Sequence, residues 1–314
     1  MTLRDTNAQQ DAGMDRRRLL KTAGLGAASA VAIGATAGAG LVASTVPARA
    51  ATYTDADILN FALNLEYLEA EFYLRATTGQ GLAAADTTGV GTQGTVSGPV
   101  GTPVPFRTQY IAQLADDIAA DEQAHVRLLR AALGSAAVAE PQIDVMGAFT
   151  TLALAAGIIA PGTTFNPYQD EIAFLVGAYI FEDVGVTAYG GAAGLITSKA
   201  YLSAAASILA VEAYHAATVR TLLTTLGEDG TVTGKISALR ATLSQSAAAS
   251  PTPGAVDDFG GRQSTGQPNV GPFDANALTF QRTPAQVLSI VYGTPNGAGK
   301  GGLFFPNKVN GLFA

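Results

Sequence analysis

Cysteine and tryptophan are both missing from this chain of 314 residues, and histidine occurs only twice. Without cysteine there is no disulfide framework, no thiolate nucleophile and no cysteine-ligated zinc or iron–sulfur centre. Positive charge is also short: 18 basic against 25 acidic side chains give a formal net charge of −7. That balance argues against nucleic acid as a partner, because phosphate-backbone binding needs a surplus of Lys and Arg. Hydrophobic residues make up 48% of the sequence, enough for one sizeable core plus extensions.

The N-terminus reads as an address. Asp15-Arg16-Arg17-Arg18-Leu19-Leu20-Lys21 precedes a weakly hydrophobic Ala/Gly run over residues 22–46. Pro47-Ala48-Arg49-Ala50 follows, with Ala48 and Ala50 in the small-x-small pattern of a cleavage site. The segment resembles a bacterial twin-arginine export signal, with Arg17 and Arg18, or Arg16 and Arg17, as the pair. This resemblance implies a periplasmic or secreted protein and sets residues 1–50 apart from the fold. A retained membrane anchor is the alternative. The run is long enough to span a bilayer, but its alanines and glycines make a poor span. Cleavage takes away six of the basic and three of the acidic side chains, so the formal charge goes from −7 to −10. No other segment reads as transmembrane.

In the remaining chain, helical patterns alternate with breakers. Thr54 and Asp57 form a capping-box pair at the head of a first helix that ends near Thr78, before Gly79. On it Ala62, Glu66, Glu69 and Tyr73 form one stripe, and Glu71 points elsewhere, towards solvent. Residues 79–104 are rich in Gly, Thr and Val and read as a long loop with room for a short β-ribbon. A second helix is expected from Pro105 to Leu133, with Ala115, Ile118, Glu122, His125 and Leu129 on its inner stripe and Asp116 and Asp117 facing away. A crossover over 135–167 contains an apolar stretch, 143–160, that suits a helix lying over the others. The third long helix is expected from Tyr168 to Tyr189, stopped by Gly190-Gly191, with Leu175, Ala178, Tyr179, Glu182, Val186 and Tyr189 inward. The fourth runs from Ser198 to Leu226, with Ala205, Ile208, Glu212, His215 and Val219 inward. Beyond it, 236–245 suits a short helix, 250–272 a Pro/Gly-rich arm, and Thr283-Pro284 starts a last short helix to Tyr292. The apolar tail with Leu303, Phe304, Phe305 and Phe313 is expected to dock on the bundle or on a neighbouring subunit, which leaves a homo-oligomer open.

Both histidines stand three residues after a glutamate, in Glu122-Gln123-Ala124-His125 and Glu212-Ala213-Tyr214-His215, and Arg130 and Arg220 follow each histidine by five. Residues i and i+3 share a helix face, so each Glu/His pair can grip one metal ion from one helix. Glu66 and Glu182 each precede a tyrosine by seven residues, Tyr73 and Tyr189. The order Glu-x6-Tyr, Glu-x-x-His therefore occurs twice, as an internal repeat of a two-helix hairpin. Four ionised glutamates in one closed bundle repel and are badly desolvated, and two divalent ions cancel their charge. Carboxylate and imidazole ligands suit iron, manganese or zinc and disfavour copper(I).

These residues resemble the ferritin-like proteins: all-α, antiparallel four-helix bundles with a long crossover and a carboxylate-bridged dinuclear metal site. Within them the chain is similar to the export-targeted, desiccation-related group, over roughly residues 53–227. The resemblance implies a domain order of signal peptide (1–50), bundle (51–230) and irregular C-terminal extension (231–314). It implies Glu122 and Glu212 as bridging ligands, Glu66 and Glu182 as terminal carboxylates, and His125 and His215 on one ion each. Tyr73 and Tyr189 are then either core tyrosines bonded to ligand carboxylates or redox-active residues at the catalytic centre. Glu69 is an extra ligand, an acid behind the ligands, or a partner of Arg75 or Arg130. Arg130 and Arg220 suit structural ion pairs on the flank.

Three functions fit. Two redox ions can oxidise iron(II) with dioxygen or dismutate peroxide. The same site can bind or store iron, although the long loop and extension depart from compact cage-forming ferritins. Or the metal only staples a stress-related structural protein.

Overall fold

The computed structural model describes residues 53–245, 259–262, 265–273, 276–297 and 299–313. The export signal expected at 1–50 and the first part of the Pro/Gly-rich arm lie outside them. Helix α1 (Asp55–Thr78) starts where expected. The Asp57 N–H donates to the Thr54 hydroxyl, the Asp57 carboxylate accepts from the Thr54 N–H, and Gly79 at φ 71° ends the helix. A single-turn helix, α2 (Ala84–Thr87), and the strand β1 (Val96–Ser97) lie in the long loop that follows. Then come α3 (Gln109–Leu133), strand β2 (Ile143–Asp144), α4 (Gly147–Ala155), α5 (Glu171–Ala193), α6 (Lys199–Thr225), α7 (Thr231–Gln245) and α8 (Pro284–Val291). The four long helices α1, α3, α5 and α6 form the bundle: α1 packs on α3, α5 packs on α6, and α1 meets α5.

Several boundaries differ from the sequence reading, each for a tertiary reason. The stretch 143–160 is not one helix. Val96 and Ser97 pair in parallel with Ile143 and Asp144, the Asp144 N–H donates to Phe304 O, and the Asp144 carboxylate accepts from the N–H groups of Met146 and Gly147. Only nine residues remain helical. The expected ribbon of the long loop is this parallel pairing rather than a hairpin. Helix α3 starts four residues later than Pro105, because the backbone before it bends to Glu171: Arg107 N–H and Thr108 N–H, each 2.9 Å away, donate to that carboxylate.

Gly190-Gly191 does not stop α5, which continues to Ala193. Gly191 is where a neighbouring segment touches the helix: a Cβ there would lie 1.9 Å from Arg282 O. Arg282 is fully buried, and its backbone N–H donates to Thr187 O at 3.0 Å. The glycine thus serves close approach, not termination. Glu71, expected in solvent, is buried. It holds Arg75 at 2.8 Å and accepts from Leu82 N–H at 2.7 Å.

The C-terminal residues pack on the bundle's N-terminal half and α5. Phe304 packs edge-on against Phe149 and Phe181, and Phe313 stacks on Tyr53 at 4.3 Å. Asn310 closes a polar clasp. Its N–H donates to Asn64 Oδ1, its amide donates to Thr92 O and Ala139 O, and its backbone carbonyl accepts from the Asn64 amide, all at 2.8–2.9 Å. On the opposite flank Asp183, beside Glu182, is fully buried between Arg220 (2.9 Å) and Arg240 (3.0 Å). Arg220 also donates to the carbonyls of Phe259, Gly260 and Asn269, which fixes the far end of the arm.

Two bundle helices, α5 and α6, are long and apolar enough to cross a membrane by length and composition. In the fold α5 puts 94% of that apolar window into the protein interior and α6 puts 33% there. This differs from the expectation that no segment after the leader suits a membrane span.

Candidate dinuclear metal centre

At mid-bundle the inner stripes converge. Glu66 and Glu69 come from α1, Glu122 and His125 from α3, Glu182 from α5, and Glu212 and His215 from α6, all buried. Each pair three apart lies on one helix face, so four helices bring five glutamates and two histidines, the side-chain types that ligate metals, to one place. His125 Nδ1 is 3.2 Å from Glu66 Oε2, 3.3 Å from Glu122 Oε2 and 3.9 Å from Glu212 Oε1. His215 Nδ1 is 3.1 Å from Glu122 Oε1 and 3.5 Å from Glu182 Oε2. Two groups result, within each of which one atom per residue lies within 4.8 Å of the others: Glu66, Glu122, His125 and Glu212, and then Glu122, Glu182 and His215. Glu122 alone belongs to both. Glu212, expected to bridge as well, sits with the first.

The donors fit a pair of metal ions. Glu66 Oε2, Glu122 Oε1, Glu182 Oε2, both Glu212 oxygens and His215 Nδ1 are buried without a hydrogen-bond partner among the described residues. Buried polar atoms are nearly always paired, and six orphans at one point are what a set of oxygen and nitrogen ligands looks like without its ions. Oxygen with imidazole nitrogen suits iron, manganese or zinc.

Electrostatics points the same way. Burial, reinforced by neighbouring carboxylates, pushes Glu69 and Glu212 well above the usual carboxylate range. Burial lifts Glu66 to about 7 against the pull of His125, and it raises Glu182 against the pull of His215. For Glu122 burial acts upward too, but the two imidazoles beside it outweigh burial and hold it at about 2. Burial lowers the histidines, yet the carboxylates win: Glu66 and Glu122 bring His125 to about 10, and Glu182 and Glu122 bring His215 to about 12. A metal-free cluster therefore stores protons on several carboxylates and on both imidazoles.

The tyrosines cross over. Tyr73 of α1 donates to Glu182 of α5, and Tyr189 of α5 donates to Glu66 of α1. Burial and the adjacent carboxylates push both phenols well above their ordinary range, so they stay protonated as donors. Each occupies one oxygen of its glutamate and leaves the other to face the histidine.

Two residues at the site were not assigned from sequence. Asp121 Oδ2 lies 3.1 Å from Nε2 of His215, the nitrogen that faces away from the cluster. An outer carboxylate of this kind fixes the ring's orientation and tautomer. The clue was its place directly before Glu122. Val211 stands at the matching place in the second repeat, so the two halves are not equivalent. Glu69, left open between three roles, pairs with neither arginine: Arg75 bonds Glu71, and Arg130 donates to the Tyr67 hydroxyl at 2.5 Å. Arg220 makes the ion pair expected of it, and Arg130 makes none among the described residues.

Gly185 is the other silent requirement. A Cβ there would stand 2.1 Å from Glu212 Oε2 and 3.6 Å from Glu69 Oε1. Gly185→Ala is expected to push the Glu212 carboxylate aside. Metal titration should then show weaker binding while circular dichroism retains the helical signal; unchanged binding counts against Glu212 as a ligand.

A bundle with carboxylates and imidazoles converging from four helices defines the class of carboxylate-bridged dinuclear metal proteins. Residues 54–225 match the ferritin-like domain family, and the chain belongs to it. It is 27% identical over 274 residues to the ferritin-like catalase Nec2 of Nesocodon mauritianus, covering 83% of this chain and 85% of that protein. It is 30% identical over 252 residues to the desiccation-related protein PCC13-62 of Craterostigma plantagineum, covering 75% and 76%.

Proposed function

We propose that the protein is an exported dinuclear iron or manganese oxidoreductase that removes peroxide. The observation that carries this is the cluster in which Glu122 is shared between two histidine-containing groups. Similarity to a protein named a catalase supports the choice of peroxide. Glu66, His125 and Glu212 would hold one ion, Glu182 and His215 the other, and Glu122 both. Two ions that each change charge by one unit supply what disproportionation needs: one peroxide takes two electrons and two protons to become two waters, and a second gives them up to become dioxygen.

The chain's own residues do the rest. Tyr73 and Tyr189 hold the terminal carboxylates in register across the bundle. Asp121 fixes the His215 ring. The closed helical wall keeps bulk water away, which strengthens every charge interaction within. Export follows from the twin-arginine-like leader, which supports a periplasmic or secreted location.

The test is metal analysis of the purified protein followed by oxygen evolution from added peroxide. Two equivalents of iron or manganese with dioxygen release support the reading. A full site that releases none rejects it. Similarity to a desiccation-related protein favours a second reading, in which the metal staples a stress protein without turnover. A full, inactive site whose removal lowers the melting temperature would establish that one.

A further inference from the structure

A small cavity lies between α1, α5 and α8, beside the carboxylate cluster. Leu68, Glu69, Val184, Gly185, Ile290 and Phe304 are among the residues that wall it, and all six are buried. For the centre of a water-sized sphere its volume is about 10 Å³, which is room for a single such molecule. Buried water makes about three hydrogen bonds, and cavities without polar partners stay dry. Among the lining side chains only Glu69 is polar. The space therefore suits a molecule of water's size that asks for no hydrogen bonds.

Its inner end reaches the cluster. Gly185 lines the cavity, and a side chain on it would strike Glu212 Oε2. Its bare backbone leaves only the thickness of the main chain between the cavity and that carboxylate. The outer wall is supplied by Ile290, Val291 and Phe304 of the C-terminal extension, residues beyond the stretch that matches the ferritin-like domain.

We propose that this cavity is a dioxygen site serving the metal centre, with the C-terminal extension as its outer wall. The inference rests on the proposed function: dioxygen is the product of peroxide disproportionation, and it is the oxidant if the centre oxidises iron(II). A lining that is apolar apart from Glu69 gives dioxygen a position beside the centre, whereas peroxide, which needs several hydrogen bonds, is poorly matched to it.

Krypton under pressure tests the site without any turnover. Crystals of the metal-free protein should show krypton in the cavity. The signal should be stronger in Ile290→Val, which enlarges the cavity, and absent in Val291→Ile, which adds a methyl group to its wall. An ordered water in the cavity overturns the proposal. So does krypton that binds elsewhere but not here in both the native protein and Ile290→Val.

The link to the centre has its own readout. In the iron(II)-loaded protein, dissolved dioxygen takes one electron from each of two ferrous ions and two protons, and leaves as hydrogen peroxide. The single-turnover rate of that oxidation should fall several-fold in Val291→Ile at unchanged iron content. Krypton in place with an unchanged rate overturns the link. Failure of peroxide removal does not affect the krypton result, so the two readings fail separately.

Discussion

Glu122→Ala protein is expected to bind no more than one equivalent of metal where the proposed centre of the native chain takes two. Glu122 is the one carboxylate common to both ligand groups, so its loss takes a ligand from each ion at once. The effect extends to stability. Ligands that bind only the folded state stabilise it by mass action, by about 2.7 kcal/mol per site at a hundredfold excess over Kd. For a domain of this size two sites correspond to roughly 10–20 °C in melting temperature. The native protein should show a rise of that order on metal addition, and Glu122→Ala little of it. Glu122→Gln keeps the side-chain volume and removes the charge. It should lose metal to the same extent while its metal-free form melts closer to native, which separates a ligand role from a packing role. Two equivalents retained in both variants, measured by elemental analysis after gel filtration, would falsify the assignment.

The metal-free protein should melt at a higher temperature at pH 5 than at pH 8. Glu66 is raised from 4.5 to about 7, so the folded chain keeps its proton over an interval in which the unfolded chain has lost it. Stability from that group is full below pH 4.5 and is lost as pH rises to about 7. Glu69, Glu182 and Glu212 are shifted in the same direction. His125 and His215, raised from 6.5 to about 10 and about 12, contribute fully below pH 6.5 and lose that contribution as pH climbs through those values. Glu122, held at about 2, acts oppositely, but its contribution is lost only in acid, below pH 4.5. From pH 5 to 8, then, these changes act together. Glu66 alone accounts for something on the order of 3 kcal/mol, or roughly 5–10 °C.

Metal binding inverts the trend, because ions displace those same protons and bind more tightly as pH rises. The gap between loaded and chelator-treated melting curves should therefore widen from pH 5 to 8. A metal-free protein that gains stability over that range contradicts this charge distribution.

The gathering of these side chains was legible because helical period alone links its members. Glu122 with His125, Glu212 with His215, and the matching Glu66/Tyr73 and Glu182/Tyr189 intervals need only 3.6 residues per turn to fall on one face. The hydroxyls' crossing to the opposite helix was not legible, since spacing along one chain says nothing of which partner lies across the bundle. The remaining errors have that same origin. Gly190-Gly191 carries the local signature of a helix stop, and only the Arg282 backbone, some ninety positions on, explains why the glycine is there instead. Glu71 is polar on a helix rich in apolar residues, a pattern that reads as solvent-facing; its burial depends on Arg75 and the Leu82 N–H. The burial of Asp183 beside Glu182 was not read from the sequence at all, since its partners Arg220 and Arg240 come from other helices.

The Asn310 clasp bears on the order in which the chain can become complete. Asn64 is 246 residues earlier, so this side chain, whose amide also donates to Asn60 O within α1, completes its hydrogen bonds only when a much later segment arrives. Asn64 is fully buried, and a buried amide without partners costs on the order of 1–3 kcal/mol. Contacts of such long sequence separation form late in folding. A chain broken off before residue 310 can form the four helices and gather the glutamates, yet it leaves Asn64 and the carbonyls of Thr92 and Ala139 without their Asn310 partner. In kinetic terms Asn310 ties α1, the long loop and the crossover together through a segment that is made much later in the chain than any of them.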